Sequence, residues 1–185
     1  MIEEYHCSAP AIASLVHAVQ AELWVCGRAS IRPYLALEQP IIADTSALVS
    51  LATKTDHNHV PATKAAAELR EAQRPIILPS DVLVETVNIL GKRSSHEIAL
   101  KAVDALLKPG RQFILVEMTS HVEAALAKFK EQPEAVGLTD CIVMALADHY
   151  STKDIVGFDK QFEDAGYHKL QHECFAKLTP LSLLP

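Results

Sequence analysis

From residue 40 onward the chain alternates short apolar runs with longer stretches of helical periodicity, and this limits the available folds more than any other feature. The short runs lie at 41–44 (IIAD), 75–78 (PIIL), 112–117 (QFILVE) and 154–158 (DIVGF). Each is too brief for a helix and nearly continuous in apolar side chains, as in strands covered on both faces. Helical stretches are expected at 46–53, 60–73, 81–91, 94–107, 119–131 and 139–150. Strand–helix alternation of this kind predicts an α/β three-layer sandwich, a mainly parallel central sheet flanked by helices and joined by right-handed crossovers.

Residues 1–39 stand apart from that pattern. The stretch APAIASLVHAVQAELWVCG at 9–27 predicts one amphipathic helix, with Ala11, Leu15, Ala18 and Leu23 on a shared face and Gly27 as its stop. We read 1–39 as an N-terminal extension and 40–185 as the domain proper. The extension is either an accessory helix over an apolar surface or the product of a translation start set upstream. Its acids (Glu3, Glu4, Glu22, Glu38) outnumber Arg28 and Arg32, so it is no basic arm for a nucleic acid.

A chain of 185 residues suffices for one sizeable core. Cys7, Cys26, Cys141 and Cys174 form no CxxC pair, which leaves a zinc site or disulfide framework without support and predicts reduced thiols in a cytoplasmic protein. The start carries acids where a signal peptide carries Lys or Arg, and His17, Gln20 and Glu22 interrupt the apolar stretch behind it. Neither secretion nor membrane spanning is expected. A net charge of −6 argues against a nucleic-acid partner only if the acids are dispersed. One or two divalent ions bound to four of them would bring the total to −4 or −2.

Four acids occupy positions that invite such gathering. Open parallel sheets bind ligands beyond the carboxyl ends of their strands, where the strand order reverses. Asp44 ends the first strand run and Asp159 ends IVGFD (155–159). Glu85 sits in DVLVETVNIL (81–90), and Asp140 opens the helix in GLTDCIVMALADHY (137–150), with Thr139 as the expected N-cap. Each alone has a plain structural explanation, as a cap, a turn acid or a solvated helix residue. Together, four converging carboxylates cannot all remain ionised without a counter-charge. A hard divalent cation, Mg²⁺ or Mn²⁺, resolves the conflict and brings phosphodiester chemistry within reach. His and Cys are absent from these positions, which disfavours zinc.

The segments IADTSALVSL, PSDVLVETVNIL, GLTDCIVMALA and GFDKQFEDAGY resemble, in order, the four signature segments of the PIN domain. The resemblance spans roughly 40–171 and is closest to the VapC-like ribonuclease toxins of type II toxin–antitoxin modules. It implies a Mg²⁺- or Mn²⁺-dependent endoribonuclease in which Asp44, Glu85, Asp140 and Asp159 match the family's acids. Asp44 and Asp140 are expected to hold the metal most directly, with Glu85 and Asp159 acting through water or orienting the nucleophile. Ser46 matches a hydroxyl position of the first motif, with Thr45 as its neighbour. Phe162 and Gly166 read as packing and turn residues of the last motif. The pattern selects Glu85 over Asp81, one helical turn earlier, and leaves Asp148, Asp154 and Asp164 as surface acids.

RNA requires positive charge near the cut, and Lys92, Arg93 and Lys160 are the candidates; each also reads as a solvated residue. The Ala/Leu face of 46–53 and 60–73 (Leu48, Leu51, Ala65, Ala66, Leu69) is expected to be core, or in part a groove for an antitoxin. The resemblance further implies a cognate antitoxin and a homodimer. Two rival readings stand beside it. A haloacid-dehalogenase-like phosphotransferase also has an Asp at the end of its first strand, but wants a second two residues on, where this chain has Ser46. A non-catalytic PIN-like module would serve as a binding platform.

Overall fold

The computed structural model describes residues 39–108 and 112–169. The helix expected at 9–27, the rest of the extension before residue 39, and three of the four cysteines lie outside the described residues. The element order is β1 (Ile41–Ala43), α1 (Thr45–Ala52), α2 (His59–Glu71), β2 (Ile76–Pro79), α3 (Ser80–Arg93), α4 (His96–Leu107), β3 (Phe113–Val116), α5 (Val122–Glu131), α6 (Leu138–His149), β4 (Asp154–Val156), α7 (Gln161–Asp164) and β5 (His168–Lys169).

The four expected strands and six expected helices all form, with ends shifted by up to three residues. The five strands run in the order β3-β2-β1-β4-β5, and every pairing is parallel. β1 is central, with Ile41 opposite Ile76 on one side and Ile42 opposite Ile155 on the other. All three of its residues are fully buried. β3, at the sheet edge, is only partly covered, although its residues FILV are as apolar as those of the central strands.

From β1 the chain steps outward to β2 and β3, then returns across β1 to β4 and continues to β5. Right-handed crossovers in opposite directions place their helices on opposite faces. One layer therefore holds α1–α4, and the other holds α5 and α6. Within α6 every residue from Cys141 to Ala147 is buried, as expected of a helix enclosed on all sides. It packs against β1, β4 and α5, so its N-terminus is fixed relative to the carboxyl ends of the two central strands. Leu48, Ala65 and Leu69 are core residues. Among the described residues no helix is long and apolar enough to cross a membrane.

At the opposite edge of the sheet a buried guanidinium ties the strand beginnings together. Arg74 donates to the Gln39 carbonyl from Nε at 3.1 Å and Nη2 at 2.7 Å, and from Nη2 to Asp154 at 2.9 Å. Asp154 is thus no plain surface acid: it is half-buried because it neutralises Arg74. Asp148 is likewise engaged, accepting from Lys128 at 2.6 Å and from the Tyr167 hydroxyl at 2.9 Å. Two short elements, α7 and β5, were not expected; at four and two residues they carry no readable period. Phe162 is fully buried on α7 and Gly166 adopts φ +83° in the following turn, as the last motif implied.

Replacing Arg74 with Met should cost about 3 kcal/mol, because it strands a half-buried carboxylate and a strand-end carbonyl. Urea denaturation of the variant checks this.

Candidate metal centre

β1 ends at Ala43, and Asp44 follows in extended backbone as the N-cap of α1. Its amide donates to the Val156 carbonyl at 3.0 Å, prolonging the β1–β4 ladder. Its carboxylate Oδ2 accepts from the Ser46 amide at 2.9 Å and the Ser46 hydroxyl at 2.6 Å. The same hydroxyl accepts from the Phe158 amide at 2.9 Å, so Ser46 couples the loop after β1 to the loop after β4. The two loops also touch directly at Gly157, where a Cβ would lie 3.0 Å from the Asp44 Cβ. Asp44 is therefore both a helix cap and a buried acid between two strand ends.

Asp140 lies in the first turn of α6. It accepts from the Gly137 amide at 2.8 Å and from the Gln161 side chain. The N-cap is Gly137, not Thr139, because Asp140 reaches back to that amide and helical geometry begins at Leu138. Asp159 stands three residues beyond the end of β4. One oxygen from each of Asp44, Asp140 and Asp159 can be chosen so that all lie within 4.8 Å of one another. The cluster sits between β1 and β4, where the strand order reverses.

Glu85 stands outside this triplet. Its Oε2 accepts from the Thr45 hydroxyl at 2.7 Å, which anchors α3 to the start of α1. Its charge nonetheless reaches Asp140. Asp81 is exposed and receives a bond from Ser80.

Burial is the chief reason the Asp44 carboxyl is pushed up to about 7; the charges of Asp159 and Asp140 add to it, and the two Ser46 hydrogen bonds oppose it. Asp140 is also raised, first by burial, then by Asp159 and Glu85. Three oxygens in this arrangement fit a hard divalent cation, whose charge would remove the conflict that now favours protonation. The donor set is all-carboxylate and contains no soft ligand.

The three expected cations separate. Lys92 lines a groove of about 520 Å³ along α3, together with Asp81, Val84, Glu85, Asn88 and Thr139. Arg93 does not line it, and Lys160 is exposed beside Asp159. Residues not singled out in the sequence as site residues complete the surroundings. Thr45 holds Glu85; Gln161 holds Asp140; Gly157 permits the close approach to Asp44. Lys169, nearly buried, donates to the Phe158 carbonyl at 3.4 Å and pairs with Glu163 at 3.1 Å. Only Thr45, adjacent to Asp44, carried a local signal; the partners of the others are set by tertiary packing.

The family model of the PIN domain matches residues 41–166. The chain belongs to the PIN domain family. Among solved structures it is similar to the VapC20 toxin of Mycobacterium tuberculosis, described as cleaving the sarcin–ricin loop. The likeness has a TM-score of 0.63 at 22% identity, covering 71% of this chain and 98% of that one. At this identity it shows a shared fold. No curated protein matches the chain. In this PIN domain the three clustered acids come from the first, third and fourth motifs, and the acid of the second is held at the rim by Thr45.

The raised Asp44 carboxyl has a consequence for stability. Its proton is held to about 7 in the folded chain and to 3.8 in the reference state, so its contribution is full below that lower value and is lost as pH rises through about 7. With divalent ions removed, the melting temperature should fall between about pH 4 and pH 7, through a free-energy change on the order of 4 kcal/mol from this group. Mn²⁺ should restore stability at the upper pH, and Asp44→Asn should flatten the slope. Thermal melts across pH with EDTA or Mn²⁺ check all three.

Proposed function

We propose that this PIN domain is a metal-dependent endoribonuclease that hydrolyses phosphodiester bonds of RNA. The observation that carries the reading is the three-carboxylate cluster at the reversal of strand order, with its oxygens within 4.8 Å. Asp44, Asp140 and Asp159 would hold a Mg²⁺ or Mn²⁺ ion. Bound there, the ion supplies positive charge that stabilises the phosphate in the transition state and lowers the pKa of water.

The chain's own residues account for the remaining tasks. Ser46 fixes the Asp44 carboxylate and the Phe158 peptide, keeping the two strand-end loops at one spacing. Glu85 is oriented by Thr45 through Oε2, which leaves Oε1 to orient the attacking water or to accept its proton. The exposed Lys92 offers positive charge to RNA phosphates; Arg93 and Lys160 have weaker claims, since neither lines the groove beside Glu85. Hydrolysis needs in-line approach to phosphorus, which an unpaired strand permits more readily than a duplex.

The likeness to a VapC toxin supports a biological setting: the toxin of a toxin–antitoxin pair, working in the cytoplasm as a homodimer under an antitoxin's control. The phosphotransferase reading fits less well. A covalent nucleophile needs a free oxygen facing substrate, yet Asp44 is 2% exposed and its Oδ2 takes two hydrogen bonds from Ser46. A binding platform gives no physical reason to bury Asp44 beside two other acids.

Incubation with a mixed RNA pool should give cleavage with Mg²⁺ or Mn²⁺ and none with EDTA. Asp140→Asn should lower the rate about 100-fold or more without a loss of melting temperature. Cleavage that persists in EDTA contradicts the proposal; release of phosphate from small phosphomonoesters through an Asp44 adduct favours the phosphotransferase. Co-purification with a small protein encoded beside it would support the toxin assignment.

A further inference from the structure

The groove along α3 runs beside the acid cluster, although none of the three clustered aspartates lines it. Residues 81, 84, 85, 88 and 92 line it, a spacing of three and four that marks one stripe of a helix. Thr139, next to Asp140, lines it too, so the groove opens onto the N-terminus of α6. Its volume of about 520 Å³ is that of a site for a small organic ligand: room for one or two nucleotides and not for a duplex.

Charge along the stripe has a direction. Asp81 and Glu85 stand toward the start of α3, while Lys92 lies in its last turn. A polyanion leaving the acid cluster is therefore repelled by Asp81 and drawn toward Lys92. At ~1.5 Å rise per residue, Asn88 lies about 4.5 Å and Lys92 about 10 Å beyond Glu85 along the axis. Val84, about 1.5 Å before Glu85 along the axis, is 59% exposed, an apolar surface suited to the face of an unstacked base. Asn88 is exposed and offers both a donor and an acceptor, the combination that reads a base edge.

We propose that this groove is the track for single-stranded RNA on one side of the cut, with Lys92 pairing a phosphate and Asn88 selecting the base. This rests on the nuclease reading for its location and adds to it a path and a source of sequence preference. Both side chains are exposed, so their substitution leaves the core untouched.

Binding of a fluorescein-labelled random single-stranded RNA is measured by anisotropy with the Asp44→Asn protein, which prevents turnover, and with the same protein carrying Lys92→Ala or Asn88→Ala. Lys92→Ala should weaken binding about tenfold and lower the slope of log affinity against log salt by about 0.7. It should not alter the weaker binding of a duplex. In the protein with all acids intact, sequencing of cleavage ends should show that Asn88→Ala reduces base preference about fivefold at one position near the cut. Unchanged affinity, salt slope and preference in both variants overturn the track, even if cleavage proceeds. Binding that depends on Lys92 without cleavage in Mg²⁺ or Mn²⁺ retains the track and overturns the nuclease.

Discussion

Like charges held close together are the constraint around which this domain is organised. Asp44, Asp140 and Asp159 reach one point from three segments separated by many residues in sequence, and Asp44 does so from a fully enclosed position. Two of the three, Asp44 and Asp140, are pushed toward protonation by burial first and then by neighbouring carboxylates. Such an arrangement is unfavourable in isolation and persists because the rest of the fold over-determines it. The same repulsion that makes the cluster costly would give a divalent ion affinity for it.

The means of over-determination are identifiable. β1 and β4 pair so that their ends coincide, and Gly157 allows the backbone of one loop to lie against the Asp44 side chain. α6, buried from Cys141 to Ala147, cannot slide without opening the core, so Asp140 is as fixed as the sheet. Phe158, which precedes Asp159, is held by its amide to Ser46 and by its carbonyl to Lys169. The site is therefore carried by loops whose freedom has been removed by packing below and by side-chain bonds across. Preorganisation of this kind lets electrostatic forces act on a substrate without reorganising the protein first.

Much of this was legible in the sequence because it depends on local pattern. Short apolar runs revealed β1 to β4, and their acidic endings placed Asp44 and Asp159 at the productive edge of the sheet. Asp140 followed from its motif, whereas Glu85 stands outside the triplet, bound to Thr45. What stayed hidden depends on pairings across the fold. Asp154 looked like a surface acid because its partner, Arg74, is 80 residues distant in the chain. Lys169 and Gln161 lie on or beside elements too short to have a period. The distinction between Lys92 and Arg93 was available in principle: Lys92 is seven residues from Glu85 and shares its helical face, whereas Arg93 is turned a further ~100°.

The proposed dependence on one ion can be examined directly. Crystals grown with Mn²⁺ and measured at a wavelength sensitive to manganese should show an anomalous peak about 2.2 Å from carboxylate oxygens of Asp44 and Asp140, with Asp159 bound directly or through water. A peak ligated elsewhere, or an empty cluster at millimolar Mn²⁺ with the three acids in the positions described, would contradict the account.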